Sequence, residues 1–254
     1  MKTSTRTFKV PTNAGTILPI KIHEDVTIRA DNLTLETWGS SLVLARRLHA
    51  VQIPNLTTCP VRPHSPSRTR KRESCGPVIE LGAGTGLVGI SAAAIWKTNV
   101  TLTDLSPIVP ALACNIALNK DILSSTGGVA SSGALDWKTP SVLSLPAQPQ
   151  QESSLELTAE HNKAHVILAA DTIYDSSHPE MLVNVIKTWL KPGPDSRVLI
   201  AYPVRVAYLE EIRELWERME SIGMELVEEG KEELPKKDWD DEVLIEWCIL
   251  KWKE

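Results

Sequence analysis

The chain lacks the signatures of a metal centre and of a disulfide framework. Its four cysteines, Cys59, Cys75, Cys114 and Cys248, are scattered and form no Cys-x-x-Cys pair, so free thiols are expected. His161 and His165 are four apart, but no His-Glu-x-x-His surrounds them and no carboxylate lies between, and no metal is expected. Long apolar runs and a secretory segment are missing too, which predicts a cytosolic protein, with the nucleus as a further compartment and no membrane partner. A formal net charge of −5 denies the chain the positive field that non-specific nucleic-acid binding needs. What remains is globular: 42% apolar and 23% charged residues, in a length of 254 that suits one α/β domain.

The most informative stretch runs from 77 to 89. Val78 to Leu81 read as a short buried strand, Leu87 onward as a helix, and Gly82, Gly84 and Gly86 fill the turn between them. Residues without a β-carbon permit positive φ and close ligand approach, and the amides of the following helix make its start electropositive. No Gly-Lys-Ser or Gly-Lys-Thr closes the loop, which excludes the triphosphate cradle. A dinucleotide fingerprint fits as Gly84-x-Gly86-x-x-Gly89, but it begins two residues late, because the strand runs straight into Gly82. The better-registered pattern, Glu80-x-Gly82-x-Gly84-x-Gly86, resembles the first motif of the class I S-adenosylmethionine (SAM) methyltransferases. Taken alone, the loop leaves both cofactors open.

Upstream, residues 8 to 28 predict an N-terminal β-hairpin, and Trp38 precedes a helix through Leu42, Ala45 and Leu48. Two stretches, 54–76 with its basic cluster Arg68, Arg70, Lys71 and Arg72, and the Pro/Ser/Gln-rich 139–163, read as flexible insertions. Downstream, strands are expected at 99–103, 127–135, 165–170 and 197–202, with helices at 107–119, 177–190 and 206–222 between or after them. Two closing strands near 224–229 and 243–252 flank an acidic run, 225–242, read as a solvated loop that would attract a cationic substrate if it lay beside the active site. Alternating β and α units predict a doubly wound parallel sheet.

Ligands of such sheets bind beyond the carboxyl ends of the strands. Those ends carry Glu80, Asp104, Asp136 with Trp137, and Asp171 after Ala170. Asp104, 18 residues past Gly86, suits the two ribose hydroxyls; Asp136 can accept from an adenine amino group, and Trp137 offers a flat wall for the ring. Acidic and aromatic groups suit a sulfonium that also carries an ammonium better than they suit a pyrophosphate. Asp171, the strand-end carbonyls and Tyr174 could orient an amine acceptor and exclude water.

Together, Glu36-Thr37-Trp38-Gly39-Ser40-Ser41, the glycine motif, Thr103-Asp104-Leu105, Asn115 with Asn119, Asp136-Trp137 and Asp171-Thr-Ile-Tyr174 resemble the family 16 methyltransferases, seven-β-strand protein-lysine methyltransferases that include the methyltransferase-like family 21 enzymes. The resemblance implies an α/β, Rossmann-like, seven-stranded sheet of order 3-2-1-4-5-7-6 with an antiparallel last strand. It also implies that Trp38, the glycine loop, Asp104, Trp137 and Ala170 hold SAM, and that Asp171 and Tyr174 line the acceptor pocket. The expected activity is methyl transfer to a lysine of a cytosolic protein of the translation-factor or chaperone type, by a monomer. A small amine or another side chain as acceptor, and an interaction protein that has kept the fold without activity, are the competing readings.

Overall fold

The computed structural model describes residues 3–30, 33–56, 77–147, 154–239 and 243–254. The basic cluster at 68–72, Cys59, Cys75 and the acidic residues 240–242 lie outside them, as does most of the expected insertion at 54–76. At the N-terminus, β1 (Thr3–Pro11) and β2 (Ile17–Ala30) pair antiparallel, and the short β3 (Leu33–Leu35) joins the far end of β2. Then follow α1 (Gly39–Arg47), β4 (Val78–Leu81), α2 (Leu87–Trp96), β5 (Asn99–Asp104), α3 (Val109–Leu118) and α4 (Lys120–Thr126). The middle of the chain supplies β6 (Val129–Ala134), β7 (Val142–Leu145), β8 (Leu155–Thr158), β9 (Val166–Ala170) and α5 (His178–Trp189). It ends with β10 (Arg197–Pro203), α6 (Leu209–Ser221), β11 (Met224–Glu233), α7 (Lys236–Trp239) and β12 (Leu244–Trp252).

The large sheet has the order β11-β12-β10-β9-β4-β5-β6-β7-β8. Read from β6 to β11, its first seven strands follow the expected 3-2-1-4-5-7-6, and β12 runs antiparallel to both neighbours. Because side chains alternate across a strand, the central strands feed two apolar layers. Val78, Val166, Leu168, Leu199 and Ile249 pack toward α1, α2 and the N-terminal sheet, whereas Ile79, Ile167, Val198, Ile200 and Leu250 pack toward α5 and α6.

Three expectations need correction. Residues 139–163 are not simply a flexible insertion: β7 and β8 lie within them, pair from Val142↔Thr158 to Leu145↔Leu155, and extend the sheet to nine strands. Leu143 and Leu145, and Leu155 and Leu157, alternate along them, with Leu143 and Leu157 buried, in segments short enough for the surrounding Pro, Ser and Gln to hide. Much of the acidic run is strand rather than loop, since β11 forms a sheet edge where charged side chains are well tolerated. Its Glu225, Glu228 and Glu232 meet Lys251, Arg47 and Arg46, so the fold itself supplies their counter-charges. Finally, the helix expected over 107–119 begins later, at Val109 with Pro110 in its first turn, and is followed by α4.

The N-terminal sheet docks through side chains. Asn115 on α3 accepts from the His23 amide (2.8 Å) and donates to the His23 carbonyl (3.0 Å), while Asn119 does the same for Lys21 at 2.9 and 2.7 Å. Two carboxamides thus present to alternate residues of β2 the donor and acceptor pair that a neighbouring strand would offer. Asn115 also donates to the Thr85 carbonyl at 2.9 Å, tying the same sheet to the glycine loop. Replacing Asn119 with Leu keeps the volume but strips Lys21 of both partners. We expect a loss of about 1–3 kcal/mol in urea unfolding, the range for a partly buried polar group left unpaired; an unchanged midpoint would show that the pairing contributes nothing.

Candidate active site

β4 ends in a sharp reversal that only glycine makes easily: Gly82, Gly84 and Gly86 have φ of 60°, 53° and 84°. The three glycines do different work. A β-carbon on Gly84 would meet nothing within 4 Å, so its face is open to a ligand. One on Gly82 would come within 3.2 Å of Thr172 and of the Trp137 ring, both of which close on the loop. One on Gly86 would strike Leu102 at 2.7 Å, which makes Gly86 a packing requirement and not a contact surface. Gly89 is glycine because a β-carbon would collide with Glu80 Oε2, and this accounts for the apparent dinucleotide spacing.

A cavity of about 310 Å³, within the roughly 300–1,000 Å³ common for small-molecule sites, opens at the carboxyl ends of β4, β5, β6 and β9. Gly82, Gly84 and Asp104 form one side, with Trp38 contributed by the segment before α1. Asp136, Trp137, Ala170, Asp171 and Tyr174 complete the expected set. Glu80 and Gly86, also expected at the cofactor, are not among the residues lining it. Glu80 lies fully buried beneath the loop, where its Oε2 accepts from the Gly89 amide in the first turn of α2 at 2.8 Å. Burial pushes its carboxyl up to about 8, against the pull of that hydrogen bond.

Other placements sharpen roles. Asp104 accepts from the amides of Gly84 (2.8 Å) and Leu105 (2.7 Å), so it braces the loop as well as facing the cavity. Trp38 is set by its neighbour Thr37, whose amide donates to the buried Glu24 (3.1 Å) and whose hydroxyl meets that of Thr85 (3.0 Å). Asp171 takes φ 59°, an uncommon conformation for a residue other than glycine, and such outliers cluster at functional sites. Its carboxylate receives Arg205 at 2.8 and 3.4 Å and the Ser40 hydroxyl at 3.4 Å.

Sequence reasoning missed His178, Thr172 and Arg205. His178 opens α5; its Nδ1 accepts from the Tyr174 amide (3.4 Å), and its ring meets those of Tyr174 and Trp137 edge-on. A histidine four residues past Tyr174 was the available signal. Thr172 Oγ1 is buried at the cavity wall and has no hydrogen-bond partner among the described residues. Arg205, 34 positions from Asp171, carried no local signal beyond following a strand end.

These features fit SAM. The open Gly84 face admits backbone approach, Thr172 Oγ1 is a polar atom without a protein partner, Asp104, Asp136 and Glu36 face a cationic ligand, and two tryptophans supply flat walls.

Comparison with known proteins places this arrangement. A family model described as lysine methyltransferase matches residues 18–221. The protein-lysine N-methyltransferase EFM2 of Saccharomyces cerevisiae is 33% identical over 228 residues, covering 87% of this chain and 48% of the yeast protein. The protein-lysine N-methyltransferase rrg1 of Schizosaccharomyces pombe is 28% identical over 251 residues, covering 99% of this chain and 71% of its own length. This chain therefore spans about half of the first relative and more of the second. Among solved structures, a SAM-dependent methyltransferase from Methanosarcina mazei superposes with a TM-score of 0.50 at 13% identity, over 71% of this chain and 94% of its own, a likeness of fold alone.

The buried Glu80 gives a pH test. Its folded value of about 8 exceeds the ordinary 4.5, so the folded chain retains a proton that the unfolded chain releases. The contribution to stability is complete below pH 4.5 and is lost as pH rises through 8. In ligand-free thermal unfolding across that window, the wild type should lose stability relative to Glu80→Gln; parallel curves would remove the assignment.

Proposed function

This chain belongs to the lysine methyltransferase family, and from that membership we propose that it transfers a methyl group from SAM to a lysine side-chain nitrogen of a protein. The observation that carries the reading is the placement of Asp171 and Tyr174 on the same cavity as the open Gly84 face. Cofactor groups and an acceptor-binding pair then meet within one enclosure. We further propose that the enzyme is a monomer, that it works in the cytosol and also the nucleus, and that its substrates are of the translation-factor or chaperone type.

When bound, SAM supplies an electrophilic methyl on a sulfonium that leaves as a neutral thioether. The nitrogen–carbon bond forms as the carbon–sulfur bond breaks, and the amine must arrive without its extra proton. Here the residues of this chain act. Gly82 to Thr85 and Trp38 fix the donor, Asp104 holds the loop and accepts from ribose hydroxyls, and Trp137 bounds the ring. Tyr174 and His178 wall the acceptor side and exclude water, and Asp171 orients the nitrogen. Since a carboxylate favours the charged form of an amine, Asp171 serves orientation better than proton abstraction.

Incubating the protein with labelled SAM and cell extract should place label on a protein band. Label confined to small molecules would assign a different acceptor. Asp171→Ala should lose at least about tenfold in transfer rate, the scale of misaligned reacting groups, while retaining most SAM affinity in calorimetry. Asp104→Ala should weaken SAM affinity itself, and an unchanged value would remove the ribose role.

A further inference from the structure

Arg205 stands outside the cavity lining, yet it makes a contact with the acceptor side that nothing in the expected chemistry requires. It follows β10, and its guanidinium approaches Asp171 with Nη1 at 2.8 Å from Oδ1 and Nη2 at 3.4 Å from Oδ2. Both side chains are largely buried, at 14% and 5% exposure. Such a two-pronged pair fixes the carboxylate in plane as well as in position. The same guanidinium lies 5.8 Å from the Trp38 ring centroid, so it bridges the residue expected against the donor and the one expected against the acceptor. From the other side, Ser40 on α1 donates to Asp171 Oδ2, and the Asp171 amide donates to the Ala201 carbonyl on β10.

This pairing alters the electrostatics of amine binding. A buried carboxylate without a cation would hold an incoming lysine as ammonium, which has no lone pair to attack with. A guanidinium behind it opposes the ammonium form while leaving the carboxylate able to accept from a neutral amine. We propose that Arg205 is a positioning residue that keeps Asp171 oriented and makes the acceptor pocket select the uncharged amine. The proposal rests on the methyltransferase reading, and it concerns a residue that touches neither donor nor acceptor.

Among the described residues, the other ionisable groups lining this cavity are Glu36, Asp104, Asp136, Lys138, Tyr174 and His178. None changes between the proteins compared below, so a difference reports on Arg205.

Sinefungin carries an amine where SAM carries its transferable methyl, and it therefore probes the transfer position without any protein substrate. Its affinity relative to S-adenosylhomocysteine, which has nothing there, should be measured by calorimetry at several pH values for the wild type, Arg205→Met and Arg205→Lys. With the guanidinium beside Asp171 removed in Arg205→Met, preference for protonated sinefungin should rise about tenfold or more, the equivalent of one unit in the amine's pKa. The rise should vanish at high pH, where the amine is neutral, and Arg205→Lys should stay near the wild type.

A purely structural Arg205 would weaken both ligands equally and leave the ratio and its pH dependence unchanged; that result overturns the proposal. Should Arg205→Met fail to fold, Arg205→Gln, which keeps hydrogen-bond donors but removes the charge, takes its place: a rise in the ratio that vanishes at high pH supports the proposal, and an unchanged ratio overturns it. A wild type that binds neither ligand would overturn the methyltransferase reading, and this proposal with it.

Discussion

A protonated carboxyl group buried beneath a glycine turn organises this molecule. Glu80 cannot reach water, and the Gly89 amide is the group that receives it. To make that bond, α2 must begin within one turn of β4, and residue 89 must lack a side chain. The reversal between them must then be tight, which forces the positive φ values of the three glycines. The ligand-facing loop is in this sense a by-product of satisfying one interior group. The open face at Gly84 is the part of that loop which packing leaves unused.

Around this core, side-chain hydrogen bonds pass the position of one element to the next. Asn115 joins the N-terminal sheet to the loop at Thr85, and Thr85 meets Thr37 beside Trp38. Asp104 holds the loop from the end of β5, and Arg205 holds Asp171 from just beyond β10. The glycine loop, the segment that carries Trp38, and Asp171 are therefore each held by a neighbour from a different element, the arrangement that preorganised sites need.

Much of this was legible in the sequence for a simple reason. Parallel strands buried on both faces read as short apolar runs, and the acids that end them stand out against those runs. The family resemblance then fixed strand order, which local pattern alone leaves open. Two kinds of feature escaped. β7 and β8 are four residues each, too short for periodicity to outweigh their proline and glutamine surroundings. Arg205 and the true tasks of Glu80 and Gly86 depend on contacts between residues distant in sequence or hidden under the loop, and spacing cannot report what a side chain meets. The acidic run misled in the opposite way, because composition suggested a loop where edge-strand pairing and counter-charges made a strand.

The carboxamide docking of β2 has a further consequence in the order of synthesis. His23 and Lys21 find their partners 92 and 98 residues later in the chain. At about 5–20 residues per second, a ribosome takes roughly 5–20 s to supply Asn115 after β2 has been made. Throughout that interval the hairpin of β1 and β2 presents an open edge with apolar residues behind it. β1 and β2 are thus made well before the surface on which they dock, and their docking must wait for it.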